Sequence, residues 1–189
     1  MLSGRAVRAV VVIVGLGITP ALASQFVVFP KAGELASPDG RYVVRNVERE
    51  GSASDITGTF HSLWLFELAT GRSRKLCDYL GVAAVAWSGN DFVIVTQYSK
   101  KTSQALVFSV ARSQDTVLLD KPGLTHMLPA EFRDTLREND HVFVEASRVE
   151  EERLYLRVWG YGTRDPGGFR WHCQYGLREN VVSCEQASH

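Results

Sequence analysis

At 189 residues the chain is too short for two ordinary domains and long enough to bury one core without a metal or a dense disulfide framework. Its 45% hydrophobic and 22% charged residues exclude a disordered chain and a polytopic membrane protein. The balance of 21 basic against 21 acidic side chains leaves no basic excess with which to bind nucleic acid.

Met1 to Arg8 carries Arg5 and Arg8 and no acid, residues 9–18 are an apolar run, and Pro20-Ala21-Leu22-Ala23 closes it with an Ala-x-Ala site. This order predicts a secretory signal peptide, residues 1–23, cleaved to leave a single β-rich domain over residues 24–189 in the periplasm or outside the cell. The apolar run is short for a bilayer and is broken by Gly15 and Gly17, so no membrane span is expected after cleavage. A retained anchor is the alternative. Gly15-Leu16-Gly17 lacks the third glycine, the following helix and the later acid of a dinucleotide-binding fingerprint. Loss of Arg5 and Arg8 leaves 19 basic and 21 acidic side chains, a net charge of −2.

Residues 24–29 predict a short strand ended by Pro30, followed by a loop over 31–36. In Ser37-Pro38-Asp39-Gly40, Pro38 presets φ, Asp39 can bond its own downstream backbone and Gly40 takes a positive φ cheaply, so a turn feeds a strand over residues 41–47. Residues 48–59, with Gly51, Ser52, Ala53, Ser54 and Gly58, have no periodicity and predict a long polar loop of the kind used for contact. Strands are predicted over 60–68 and 73–79 around an Ala69-Thr70-Gly71-Arg72 turn, and then over 82–88, 92–96, 105–110 and 116–119. Lys121-Pro122-Gly123 reads as a closing turn. One short helix is predicted over residues 129–137, with Leu128, Phe132 and Leu136 on one face. Strands over 141–144 and 154–158, a glycine-rich loop at 160–168, and a hairpin of 169–175 with 180–185 complete the chain.

Three turn-to-strand steps recur about every 50 residues, at Asp39-Gly40-Arg41-Tyr42-Val43-Val44, Asn90-Asp91-Phe92-Val93-Ile94-Val95 and Asn139-Asp140-His141-Val142-Phe143-Val144. The first of them, with Leu63-Trp64-Leu65-Phe66-Glu67-Leu68-Ala69-Thr70-Gly71, resembles one blade of the TolB-type or WD40-like β-propeller repeats of exported proteins. Trp87-Ser88 followed by Asn90-Asp91 resembles the start of a second blade, so the resemblance covers about residues 36–110. Leu63 to Phe66 and Val93 to Val95 are apolar at successive positions, as in strands covered on both faces. A propeller closes with four to eight blades, so three units predict an all-β antiparallel meander of roughly 50-residue blade-like units, open or sandwich-like. A monomer is expected; a ring completed by further chains is the alternative.

Cys77, Cys173 and Cys184 remain in an oxidising compartment. A hairpin centred on Arg178-Glu179 sets Cys173 directly opposite Cys184, which predicts that disulfide and leaves Cys77 free. Adjacent His172 and Cys173 would point to opposite faces of a strand, and His61, His126, His141, His172 and His189 show no ligand spacing, so neither metal nor cofactor is expected. The chain contains neither Gly-x-Ser-x-Gly nor His-Glu-x-x-His, and no catalytic residue is nominated. Trp64 and Trp87 read as core, whereas Trp159-Gly160-Tyr161-Gly162 sets Trp159 and Tyr161 beside glycines as candidate contact residues. The expected function is an exported β-rich interaction module that binds another protein without catalysis, as the resemblance implies. A small exported hydrolase with a carboxylate site is the alternative, and it calls for two acids and a histidine lining one pocket.

Overall fold

The turn at Ser37 shows how local chemistry starts a strand. In the computed structural model, which describes residues 25–48, 60–99, 101–112, 114–164 and 166–187, Asp39 Oδ1 accepts from Ser37 Oγ at 2.7 Å and from the Arg41 amide at 3.0 Å. Gly40 takes φ +69°, the left-handed value that a side chain would oppose. Strand β3 (Tyr42–Glu48) leaves directly from this turn. The predicted signal peptide and the 49–59 part of the polar loop lie outside the described residues.

Strands occupy 58% of the described residues and helices 11%, so the fold is all-β. β2 (Glu34–Ala36), β3, β4 (Phe60–Glu67) and β5 (Ser73–Leu80) form a four-stranded antiparallel meander. β6 (Ala83–Ser88), β7 (Phe92–Tyr98), β8 (Ser103–Ser109) and β9 (Thr116–Leu119) form a second, widened at the β6 edge by β1 (Val27–Phe29). β10 (His141–Glu150), β11 (Arg153–Tyr161), β12 (Phe169–Gly176) and β13 (Val181–Gln186) form a third.

The second and third meanders join into one nine-stranded sheet, because β10 pairs with β8 in parallel where Phe143 lies opposite Ser103. A parallel junction needs a crossover of a dozen residues or more, and β9 with two helices supplies it. The expected meander is therefore antiparallel within each unit but not between the last two. The junction also reverses the third unit. β10 enters near Ser103, touches β7 where the Ala146 amide donates to Thr96 Oγ1, and ends where Glu151 O accepts from Ser88 Oγ at 2.6 Å. Asn139-Asp140 thus lies at the opposite end of the molecule from Asn90-Asp91, whereas Asn90 Oδ1 accepts from the Asp39 amide at 3.1 Å. The first two turn-to-strand steps share an end; the third does not.

Two cores lie on the two sides of the second meander. Val85, Trp87, Val93, Val95 and Phe108 face Val44, Leu63 and Leu65 of the first meander. Their alternate neighbours Ala86, Ile94, Ala105 and Val107 face Val142, Val144, Leu156 and Val158 of the third. All six residues of β6 are consequently buried, and the apolar runs noted in the sequence have two covered faces to fill. Trp64 departs from the expectation of a core tryptophan: it is half-buried on the far side of β4 from Leu63 and Leu65.

The helix predicted over 129–137 is α2 (Ala130–Glu138), with Pro129 just before it and with Leu128 and Leu136 buried as expected. The turn expected at Lys121-Pro122-Gly123 is instead the start of a further helix, α1 (Lys121–Met127). Asp120 caps it through Oδ1, which accepts from the Gly123 amide at 2.8 Å, and Pro122 falls in the first turn, where no amide is needed. A Cβ at Gly123 would meet Leu118 O at 2.2 Å, so this glycine permits close packing within a helix that its Pro-Gly signature conceals.

Candidate functional site

In the third meander β11 and β12 alternate strictly. In β12, Phe169, Trp171, Cys173 and Tyr175 are buried, whereas Arg170, His172 and Gln174 are exposed; β11 buries Leu154, Leu156, Val158 and Gly160. One face packs on the molecule and the other is free. Cys173 stands opposite Cys184 in the register, with Cα atoms 4.0 Å apart, and the predicted disulfide joins them. Cys77 is free on the first meander, and burial pushes its thiol pKa up to about 11, which keeps it protonated and unreactive.

Trp159 and Tyr161 belong to β11 and are not in a flexible loop as expected. Gly160 between them faces inward, where a Cβ would meet His141 O and a Phe169 ring carbon, each at 2.6 Å. The glycine admits close packing here, and the alternation places both aromatics on the free face. Register pairs Phe143 with Trp159 and His141 with Tyr161. The rings form a ladder: Phe143 stacks on Trp159 with centroids 5.2 Å apart and 7° between planes, lies 6.1 Å from Tyr161, and Tyr161 lies 5.0 Å from His141. Tyr161 is 47% exposed.

The next row crosses the third meander as Glu145, Arg157, His172 and Glu185. Glu145 Oε2 pairs with Arg157 at 3.0 Å, and its Oε1 accepts from Tyr98 Oη at 2.9 Å. Partial burial and this hydrogen bond to Glu145 push the Tyr98 phenol up to about 12. Beyond the row, Arg148 sits over the Tyr155 ring at 4.0 Å and pairs with Glu150 at 3.2 Å. A cleft of about 810 Å³ runs past Trp159 and Arg170, and one of about 610 Å³ runs past Tyr155 and Gln174. Arg157 and His172 border both.

Chemistry on this face is limited by spacing. Glu145 and Glu185 flank His172 in one row but are three strand spacings apart, about 14 Å at ~4.8 Å per strand, whereas paired glycosidase carboxylates lie about 5–9.5 Å apart. Asp39 and Asp140 are carboxyls with lowered pKa, and both sit in turns: Asp39 is held down to about 2 by the Arg41 amide and Ser37, Asp140 by the Thr163 amide and hydroxyl. These carboxylates order backbone. Among the described residues, no three His, Cys, Asp or Glu side chains are grouped to hold a metal ion, and no helix is long and apolar enough to cross a membrane.

Sequence reasoning named two members of the ladder and missed His141, Phe143, Glu145, Arg157, Arg170 and His172. The signal was period-two alternation, present in His-Val-Phe-Val-Glu, in Arg-Leu-Tyr-Leu-Arg-Val-Trp-Gly-Tyr and in Arg-Trp-His-Cys-Gln. Comparison with protein-family models, with curated proteins and with solved structures finds no match to this chain.

Proposed function

We propose that the chain is an exported β-rich module that binds another protein through the free face of β10–β13 and performs no catalysis of its own. The observation that carries this reading is the aromatic ladder, with Tyr161 exposed and Phe143 and Trp159 half-buried, on a strand pair whose opposite face is locked into the core. Aromatic and arginine side chains on a rigid element bind with little ordering cost and are the residue types enriched at interface hot spots. The disulfide supports the periplasm or the extracellular space as the compartment, and the module works there as a monomer. On this reading the propeller-blade relationship extends to the first two meanders, whose turn-to-strand steps touch at one end. The ~14 Å between Glu145 and Glu185 supports binding over the alternative, carboxylate-based hydrolysis.

Affinity capture with the mature protein as bait, from the native exported fraction, tests the reading. A partner retained by the wild type and lost on Trp159→Ala and Tyr161→Ala is expected. Capture indifferent to both variants, or turnover of a substrate panel with no partner retained, would overturn it.

A further inference from the structure

We infer that the partner segment seated on this face is extended and carries acidic side chains at alternate positions, received by Arg170 and His172 beside Trp159; this rests on the reading of the face as an interaction surface. Three observations point to that chemistry. The first is the cleft: Trp159, with one face stacked on Phe143 at 7°, lines it together with Arg170, so a side chain seated beside the indole meets the guanidinium.

The charge on the face points the same way. Glu145 and Glu150 are already paired with Arg157 and Arg148. Arg170 forms no ion pair among the described residues, and Arg153 donates only to the neutral Gln174. Two guanidiniums against the one carboxylate of Glu185, unpaired among the described residues, thus leave a local positive surplus on one face of a chain whose mature net charge is −2. Attraction there is local, and it favours a short acidic segment. Glu145 and Glu185 close both ends of the charged row, which disfavours a continuous polyanion laid across the sheet.

Spacing supplies the third. Arg170, His172 and Gln174 project at alternate positions of β12, about 6.8 Å apart, and an extended segment running along β12 repeats its own side chains at the same ~6.8 Å. Acids at positions i and i+2 then meet Arg170 and His172 together. The clefts on either side of the Arg157 and His172 pair leave room for the intervening side chains.

Fluorescence anisotropy with labelled ten-residue peptides tests the proposal on the mature protein at low salt. The probes are alternating Glu-Thr, Gln-Thr and Lys-Thr peptides, a block peptide of equal charge in which all the glutamates precede all the threonines, and a twelve-nucleotide oligothymidylate. The alternating Glu-Thr peptide is expected to bind about tenfold tighter than its Gln-Thr and block counterparts and to weaken as salt rises. Arg170→Ala and Trp159→Ala should each cost about fivefold, Arg170→Lys should retain most of the affinity, and Arg112→Ala, in an exposed pair with Asp115 elsewhere, should cost nothing. Equal binding of the Gln-Thr or Lys-Thr peptide, tighter binding of the oligonucleotide, or no binding of any probe overturns the proposal. A partner captured through Trp159 whose contact segment is neutral or basic would overturn it while leaving the proposed function standing.

Discussion

The second and third meanders use the same element, an antiparallel run of strands, under opposite boundary conditions. β6 to β8 lie between two cores, and Val93, Ile94 and Val95 are all fully buried in succession. β10 to β13 have one core and one free face, so buried Leu156 and Val158 alternate with exposed Arg157 and half-buried Trp159. A strand covered on both faces has no position to spare for recognition, since each residue fills a core. A strand covered on one face gives every second residue to the surface without disturbing the packing that holds it. The contrast therefore leaves a surface open to recognition on the third meander and none on the second.

The largest test of this contrast truncates one residue in each meander. Ile94→Ala removes a fully buried side chain from the central layer and should cost about 3–4 kcal/mol. Trp159→Ala removes a larger but half-buried side chain and should cost about 1 kcal/mol, mostly the stacking on Phe143. Urea unfolding of both variants decides the matter: equal losses would mean that the ladder is structural, and that the free face is a covered one.

A smaller effect separates the two meanders by cross-link. Reducing Cys173–Cys184, or replacing both with Ala, opens a loop whose ends are 11 residues apart and should cost about 2–3 kcal/mol. The loss should appear locally, as faster amide hydrogen exchange in β12 and β13 with β6 to β8 unchanged. Uniform acceleration across both meanders would show that the nine strands open as one unit.

What was legible in the sequence follows the range of the interactions that encode it. Hairpins are local, so the turn at Ser37, the apolar runs at Leu63 and Val93, and the opposition of Cys173 and Cys184 could be read from neighbours a few residues apart. The parallel junction of β8 with β10 rests on the pairing of Ser103 with Phe143, forty positions away, and nothing near either residue announces it. α1 was hidden because Pro122 and Gly123 are turn residues everywhere except in a first helical turn packed against a backbone carbonyl. Trp159 and Tyr161 were found for a reason that the structure replaces: Gly160 marks contact with Phe169, and no mobile loop is there. Their row partners were hidden because cross-strand rows depend on register, which alternation narrows to a face but does not align.

The smallest expected effect concerns the turns that lead into β3 and β10. Asp39 carries hydrogen bonds from the Arg41 amide and Ser37 that favour its charged form and lower its pKa from 3.8 to about 2. A carboxyl whose folded-state pKa is depressed adds stability that is complete above its unfolded value and fades as pH falls through the folded one. The contribution of Asp39 should thus be present above about pH 4 and disappear between there and pH 2. Asp39→Asn should flatten the stability profile over that window and leave it parallel to the wild type above it, as followed by urea midpoints at stepped pH. Asp140 gives the comparison its second arm, because its pKa is lowered by Thr163, which is 23 residues away and begins the loop into β12. Asp140→Asn should flatten the acid limb as well, but with the added exchange confined to the β11–β12 loop. Asp39→Asn should act where the first meander meets Asn90 of the second. If both variants loosen the same amides, the two ends of the stack are coupled through the second meander, and the third is less independent of the first than their separate cores imply.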